Sequence, residues 1–186
     1  YIAKQAASLD FISNGRFMLG VGIGWLREEF EALGVPFEHR GARFDDYVAG
    51  MRKIWSGEVV DHESEFISWK NFKSYPLPIQ NPFPVIMGGV KGKIFKRIAQ
   101  LGNGWFAPTG DPGELKAHMT YLREECDAIG RDLSEIEITC MWPGTGGEEF
   151  LGELEAVGVG RVVIPMKGQG DPVERLTTIA EEVIKP

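Results

Sequence analysis

Cysteine is nearly absent from this chain: there are two in 186 residues, Cys126 and Cys140. Neither has a neighbour at metal-ligand or redox spacing, which excludes a disulfide framework and predicts two plain core thiols in a reducing, cytoplasmic compartment. Histidine is as scarce. His39, His62 and His118 stand far apart in sequence and form no zinc pattern, and His118 falls off the apolar stripe of its segment, a solvent-exposed position. Positive charge is short too, with Lys plus Arg at 20 against 27 Asp plus Glu, a net charge of −7 and a pI near 5.1. Neutralising a phosphate backbone needs a basic face, so nucleic acid is not an expected partner. No apolar run approaches the ~18 residues of a membrane span, and the N-terminus has no basic-then-apolar signal pattern. The expectation is a soluble protein without a membrane partner. Gly-x-Ser-x-Gly elbows, Walker loops and paired Cys/His signatures are all missing.

What the chain does have is 24 glycines, 11 prolines and 43% hydrophobic residues, spread among periodic segments with no low-complexity tract. That is enough for one folded domain with a sizeable core. The first helix pattern places Ile2, Ala6 and Leu9 on one face and stops at Asn14 and Gly15, residues that tolerate a left-handed turn. A strand over 17–22 follows. The next helix carries Phe44, Tyr47, Val48, Met51, Ile54 and Trp55 at a 3.6 period and ends at Ser56 and Gly57. Residues 58–84 leave this rhythm as an insertion segment, with short extended pieces at 58–60 and 65–69 and then a proline-rich run that excludes helix.

Strand then alternates with helix: strand 84–89, helix 91–102, strand 104–108, helix 111–130, strand 135–142, helix 147–158, strand 160–166 and helix 171–184. The helix at 111–130 bears Leu115, Met119, Leu122, Cys126 and Ile129 as its apolar stripe. Such alternation with short connections marks a parallel α/β sheet. Five strands each feed a helix, and one helix stands alone at the start. An eight-stranded (β/α)8 TIM barrel needs three more such units, about 90 residues at ~30 per unit, ahead of Tyr1, so the chain reads as the C-terminal two thirds of a barrel.

Two glycine-rich stretches carry the chemistry. In "GVGIGW" the glycines Gly20, Gly22 and Gly24 alternate, but Trp25 occupies the place of the third glycine of a dinucleotide fingerprint, so that motif fails. Two readings stay open. Alternate glycines on one face of a strand let a planar ligand approach the backbone, or they simply ease packing inside a barrel. Trp25 and Glu28 follow in the loop after the strand, on the face where barrels of this kind build their active sites; both are candidate substrate-pocket residues, while the acids Glu28, Glu29 and Glu31 also suit a first helical turn.

In "VIMGGVKGK" a buried strand runs into Gly88 and Gly89 and a helix begins a few residues later, so free N–H groups, the positive end of a helix dipole and the Lys91 and Lys93 charges converge. A phosphate suits such a place; a plain tight turn with solvated lysines is the other reading. At "GNGW", Trp105 borders a flat ring or fills the core.

The order "AKQAASLDFISNGRFMLGVGIGWLREEFEALGVPFEHRGARFDDYVAGMRKIW", then "PVIMGG", then "GNGW", resembles the luciferase-like flavin and deazaflavin oxidoreductases, in particular their coenzyme F-420-dependent branch. The likeness is specific over the first 57 residues and looser after Gly110. It implies a (β/α)8 barrel with an insertion, a homodimer, and a cofactor ring at the C-terminal ends of the strands. It also implies that Gly88, Gly89, Val90 and Lys91 lie by the cofactor phosphate, with Gly22, Gly24 and Trp25 near ring and substrate. The Arg40, Arg43 and Asp45 region resembles a scaffold segment of the family. Some F-420-dependent sugar-phosphate dehydrogenases have a catalytic glutamate where this chain has Trp25, so no proton donor carries over there. The chain also departs from the family at Val90 and Lys91, where a small residue is common, and at Asn103, where "GDGW" is common. The implied activity is hydride transfer between coenzyme F-420 and a small organic substrate. The alternatives are an FMN-dependent monooxygenase using molecular oxygen and a non-catalytic flavin-binding barrel fragment.

Overall fold

A computed structural model describes residues 1–142, 144–165 and 171–183. The chain groups into two compact units, one formed by Tyr1–Met87 and Gln100–Asn103, the other by Gly88–Ala99 and the residues from Gly104 onward.

The first unit opens with helix α1, Ile2–Ile12. Its buried face is Ala3, Ala6, Ala7 and Asp10, which corrects the expected stripe: Ile2 is 59% and Leu9 48% exposed. The face that turns inward is the one whose small side chains let α1 lie close against a neighbouring helix. Asp10 is wholly buried. Its Oδ2 accepts from the backbone N–H groups of Ile79 (2.7 Å) and Gln80 (3.0 Å), and its Oδ1 from Gln80 Nε2 (2.6 Å). The same Gln80 amide donates to the Phe17 carbonyl at 2.7 Å, just ahead of strand β1, Leu19–Val21.

After β1 come the short helix α2, Arg27–Ala32, and α3, Arg40–Trp55. Helix α3 buries Val48, Gly50 and Trp55, while Tyr47, expected on its stripe, is exposed. Trp55 Nε1 donates to the Ala3 carbonyl at 2.8 Å, and its ring meets Phe83 at 4.3 Å. One turn back, Arg52 donates to the carbonyls of Phe83 and Leu101 and to Asn103 Oδ1. Asn103 is in turn bonded on both sides to Val85, the first residue of β4, Val85–Gly88. Strand β4 pairs in parallel with β1, Leu19 opposite Val85 and Val21 opposite Met87.

The insertion holds an antiparallel hairpin, β2 (Val60–Glu63) with β3 (Ser68–Phe72), each a few residues later than the alternation placed it. The expected strand at 58–60 fails because Gly57 at φ +82 and Ser56 still hold the exit turn from α3. The buried His62 stacks on Trp69, and its Nε2 lies 2.7 Å from Asp46 Oδ1 on α3; Ser64 Oγ donates to the other Asp46 oxygen at 2.5 Å. Hairpin and helix are thereby joined through one carboxylate.

In the second unit, β5 (Gly104–Ala107), β6 (Glu137–Met141) and β7 (Arg161–Val163) pair in parallel in that order. The helices are α4 (Ile94–Leu101, its last two residues in the first unit), α5 (Pro112–Asp127), α6 (Gly147–Ala156) and α7 (Pro172–Val183). Helix α5 starts where the sequence says it should: Asp111 Oδ1 accepts the Glu114 N–H at 2.8 Å and Pro112 takes the first helical position. Leu115, Leu122 and Cys126 are fully buried along it. Ile129, expected on the same stripe, lies beyond the helix end and is exposed. Met166 and Ile184, expected at the ends of the last strand and helix, lie outside the described residues. Among the described residues no helix is long and apolar enough to cross a membrane.

Asp10 is a buried carboxylate held by three donors, and hydrogen bonds to a charged group contribute about 1.5–3 kcal/mol each before non-additivity. Asp10→Ala takes the acceptor from those donors and is expected to lower unfolding free energy by about 2–4 kcal/mol, read from the urea midpoint at constant slope.

Candidate functional site

The site residues named by the sequence fall into two groups, one in each unit. In the first unit, β1 ends at Val21, so Gly22 and Gly24 lie beyond the strand and not on its face. This corrects the strand reading over 17–22. Gly22 faces open space where a side chain would stand. Gly24 is different. Its φ is +74, a left-handed conformation, and the Phe30 ring lies 2.6 Å from the position a Cβ would take. A side chain there would be strained and would displace the Phe30 ring. Trp25 follows with 80% of its surface exposed, and the exposed Glu28 falls in the first turn of α2 and not in a loop. Arg27 and Glu38 pair at 2.9 Å, and that hydrogen bond holds the Glu38 carboxyl below the usual carboxylate range. Arg43 donates to the carbonyls of Pro36 (2.6 Å) and Glu38 (3.2 Å).

In the second unit Gly88 is half-buried at the end of β4, and a Cβ there would meet only the Phe106 carbonyl, at 3.9 Å. Gly89 has φ +124, a conformation that L side chains rarely adopt. Val90 is half-buried, Lys91 and Lys93 are exposed, and Gly92 turns left-handed at φ +68 before α4 begins. Among the described residues, none of the backbone N–H groups of Val90, Lys91, Gly92 and Lys93 donates to a backbone carbonyl outside the helices and strands. A helix start presenting unused N–H groups beside two ammonium groups is a good place for an anion.

Of the two roles open to Trp105, filling the core is the one observed. It is 0% exposed, and its Nε1 donates to the Gly89 carbonyl at 2.8 Å. It therefore shapes the glycine turn from behind. Phe95 meets Trp105 edge-on at 5.4 Å, and His118 packs against both rings, at 5.8 Å from Phe95 and 6.0 Å from Trp105. His118 is thus half-buried, with Nδ1 enclosed, and the expectation of a solvent-exposed side chain is corrected. The helical stripe rule misplaced it because α5 packs a wider face than its aliphatic residues mark.

Gly88, Gly89, Val90, Lys91 and Trp105 come together in one unit; Gly22, Gly24, Trp25 and Glu28 come together in the other. Sequence reasoning missed Phe30 and Phe37 as supports of the Gly24 turn, and no local pattern signals them, since their role arises only when the 24–40 segment closes on itself. Among the described residues no group of three His, Cys, Asp or Glu side chains could hold a metal ion. Both thiols are buried, and burial pushes Cys126 and Cys140 upward in pKa.

Parallel strands each followed by a helix, with a glycine turn and an anion-seeking helix start after β4, define a barrel-type α/β protein. The chain belongs to the luciferase-like monooxygenase family, whose model matches residues 1–143. An uncharacterized Mycobacterium tuberculosis protein is 37% identical over 127 residues, covering 67% of this chain and 43% of that protein. The FMNH(2)-dependent dimethylsulfone monooxygenase of Pseudomonas putida is 29% identical over 132 residues, covering 69% of this chain and 36% of that enzyme. The matched stretch therefore spans less than half the length of these curated relatives. Among solved structures, the coenzyme F-420-dependent tetrahydromethanopterin reductase of Methanopyrus kandleri shares the fold with a TM-score of 0.77 at 17% identity, covering 98% of this chain and 78% of the reductase.

Two outcomes check this geometry. Trp105→Phe removes the hydrogen bond to Gly89 and leaves a cavity where the fused ring was, and should cost about 2–4 kcal/mol of unfolding free energy by denaturant titration. Iodoacetamide at pH 8 should label neither Cys126 nor Cys140 in the native protein and both after unfolding in urea, because thiolate formation and access are blocked together; mass spectrometry reads the result.

Proposed function

We propose that this chain serves an oxidoreductase that moves a hydride between coenzyme F-420 and a small organic substrate. The observation that carries the reading is the turn after β4, where Gly89 holds a backbone conformation suited to glycine, Trp105 fixes its carbonyl, and the unused N–H groups and lysines lie beside it. In this reading the backbone of Gly88, Gly89, Val90 and Lys91 receives the cofactor phosphate. Gly22 and Gly24 leave room for the ring, and Trp25 and Glu28 border the substrate. A bound deazaflavin supplies two-electron hydride chemistry, and the protein's part is to bind, orient and exclude water. Support for F-420 comes from the resemblance of residues 1–57 and from the fold shared with an F-420-dependent reductase.

A second reading, an FMN-dependent monooxygenase, is favoured by the sequence likeness to the dimethylsulfone enzyme. In either reading the cofactor phosphate is received by the turn after β4.

Titration with F-420 and with FMN, followed by ring absorbance and fluorescence, separates these readings. Saturable F-420 binding tighter than FMN is the expected result. Tight FMN with weak F-420 selects the second reading, and no saturable binding of either overturns both. Gly89→Asp sets a carboxylate against the phosphate and should weaken the preferred cofactor at least about tenfold, ~1.4 kcal/mol. Unchanged affinity in that variant removes the turn from the site.

A further inference from the structure

Trp25 is a large aromatic side chain with little packing of its own, so its position is set by its backbone, and that backbone is set at Gly24. Gly24 rests on Phe30, whose ring occupies the space of a Cβ. Phe30 meets Phe37 edge-on, with ring centroids 5.2 Å apart at 86°. The Arg40 guanidinium lies 3.9 Å from the centre of the Phe37 ring, and its Nε donates back to the Gly24 carbonyl at 3.3 Å. These four residues close a circuit: Gly24 on Phe30, Phe30 on Phe37, Phe37 beneath Arg40, Arg40 to Gly24. The segment carrying Phe37 is itself held, since Arg27 also lies over that ring at 4.4 Å and is tied to Glu38.

We infer that Arg40 is a positioning residue for Trp25, closing the circuit that fixes the Gly24–Trp25 turn. The inference rests on the reading of Trp25 as a residue facing ring and substrate; the circuit supplies what holds it there. Arginine suits the task because its plane stacks on an aromatic face while an in-plane N–H reaches sideways to a carbonyl, which a lysine ammonium does with less fixed geometry. The neighbouring Glu28, Glu29 and Glu31 are exposed and are not members of it. The residue acts through Gly24.

The test follows Trp25 emission in the full chain, isolated as the difference between the protein and its Trp25→Phe variant. In Arg40→Ala the fast-depolarising fraction of that emission should rise roughly twofold as the loop gains nanosecond motion, and Arg40→Lys should recover part of the restraint. Phe37→Leu removes the stack while leaving Arg40 in place and should move the same signal in the same direction. Far-UV circular dichroism identifies the variants that fold, and because the two substitutions break the circuit at different points, either one decides. Unchanged Trp25 depolarisation in the folded variants overturns the proposal. The measurement uses no cofactor and no substrate, so its failure is distinct from failure of the cofactor titration.

Discussion

A carboxyl group removed from water needs hydrogen-bond donors, and at Asp10 the donors are there. Two backbone N–H groups and one side-chain amide converge on it from residues 79 and 80. An acceptor-only group of this kind cannot be satisfied by a nearby apolar substitute, and its three bonds reach across some seventy residues of sequence. The reach continues, because the Gln80 amide that serves Asp10 also holds the Phe17 carbonyl at the entrance to β1. The first helix, the end of the proline-rich run and the first strand are thus fixed by one oxygen pair. The loop bearing Gly24 and Trp25 starts from that strand.

The alternation of strands and helices after residue 84 was legible in the sequence because each element there obeys a local rule. β4 is a short apolar run leading into two glycines, and α5 has an Asp cap, a proline at its first position and buried residues seven and four apart. Where the rules failed, the deciding contact was distant. In α1 the bulkier Ile2 and Leu9 suggested the wrong face, because the true face is chosen by Asp10 and by the close approach that alanines permit. His118 is drawn inward by Phe95 and Trp105, which belong to other elements. In the site, Gly89 and Trp105 were visible as motif residues, whereas the hydrogen bond joining them spans sixteen positions and follows from no spacing rule. The supports of Gly24 were likewise invisible, since Phe30 and Phe37 look like ordinary apolar residues in an acidic segment.

The two glycine stretches illustrate two uses of one residue type. At Gly22 the absence of a side chain leaves space, and at Gly24 and Gly89 the backbone takes a form that other residues resist. Each of these two turns is braced through its carbonyl, by Arg40 at Gly24 and by Trp105 at Gly89. A carbonyl held from behind leaves the opposite, N–H-bearing edge of the turn free, which is the polarity an anionic group requires. In the function proposed above the Gly89 turn receives the phosphate, with Lys91 and Lys93 next to it in sequence, and the Gly24 turn carries the exposed Trp25 ring.

The hairpin of the insertion meets α3 through Asp46, with one oxygen taken by His62 and the other by Ser64. Ser64 also receives the N–H groups of Phe66 and Ile67, so the hairpin's own turn depends on the same serine. Losing the Asp46–His62 bond leaves a buried imidazole nitrogen without that partner, whereas the exposed Ser64 hydroxyl turns to water instead. The hold of the insertion on α3 thus rests on the buried imidazole more than on the surface hydroxyl.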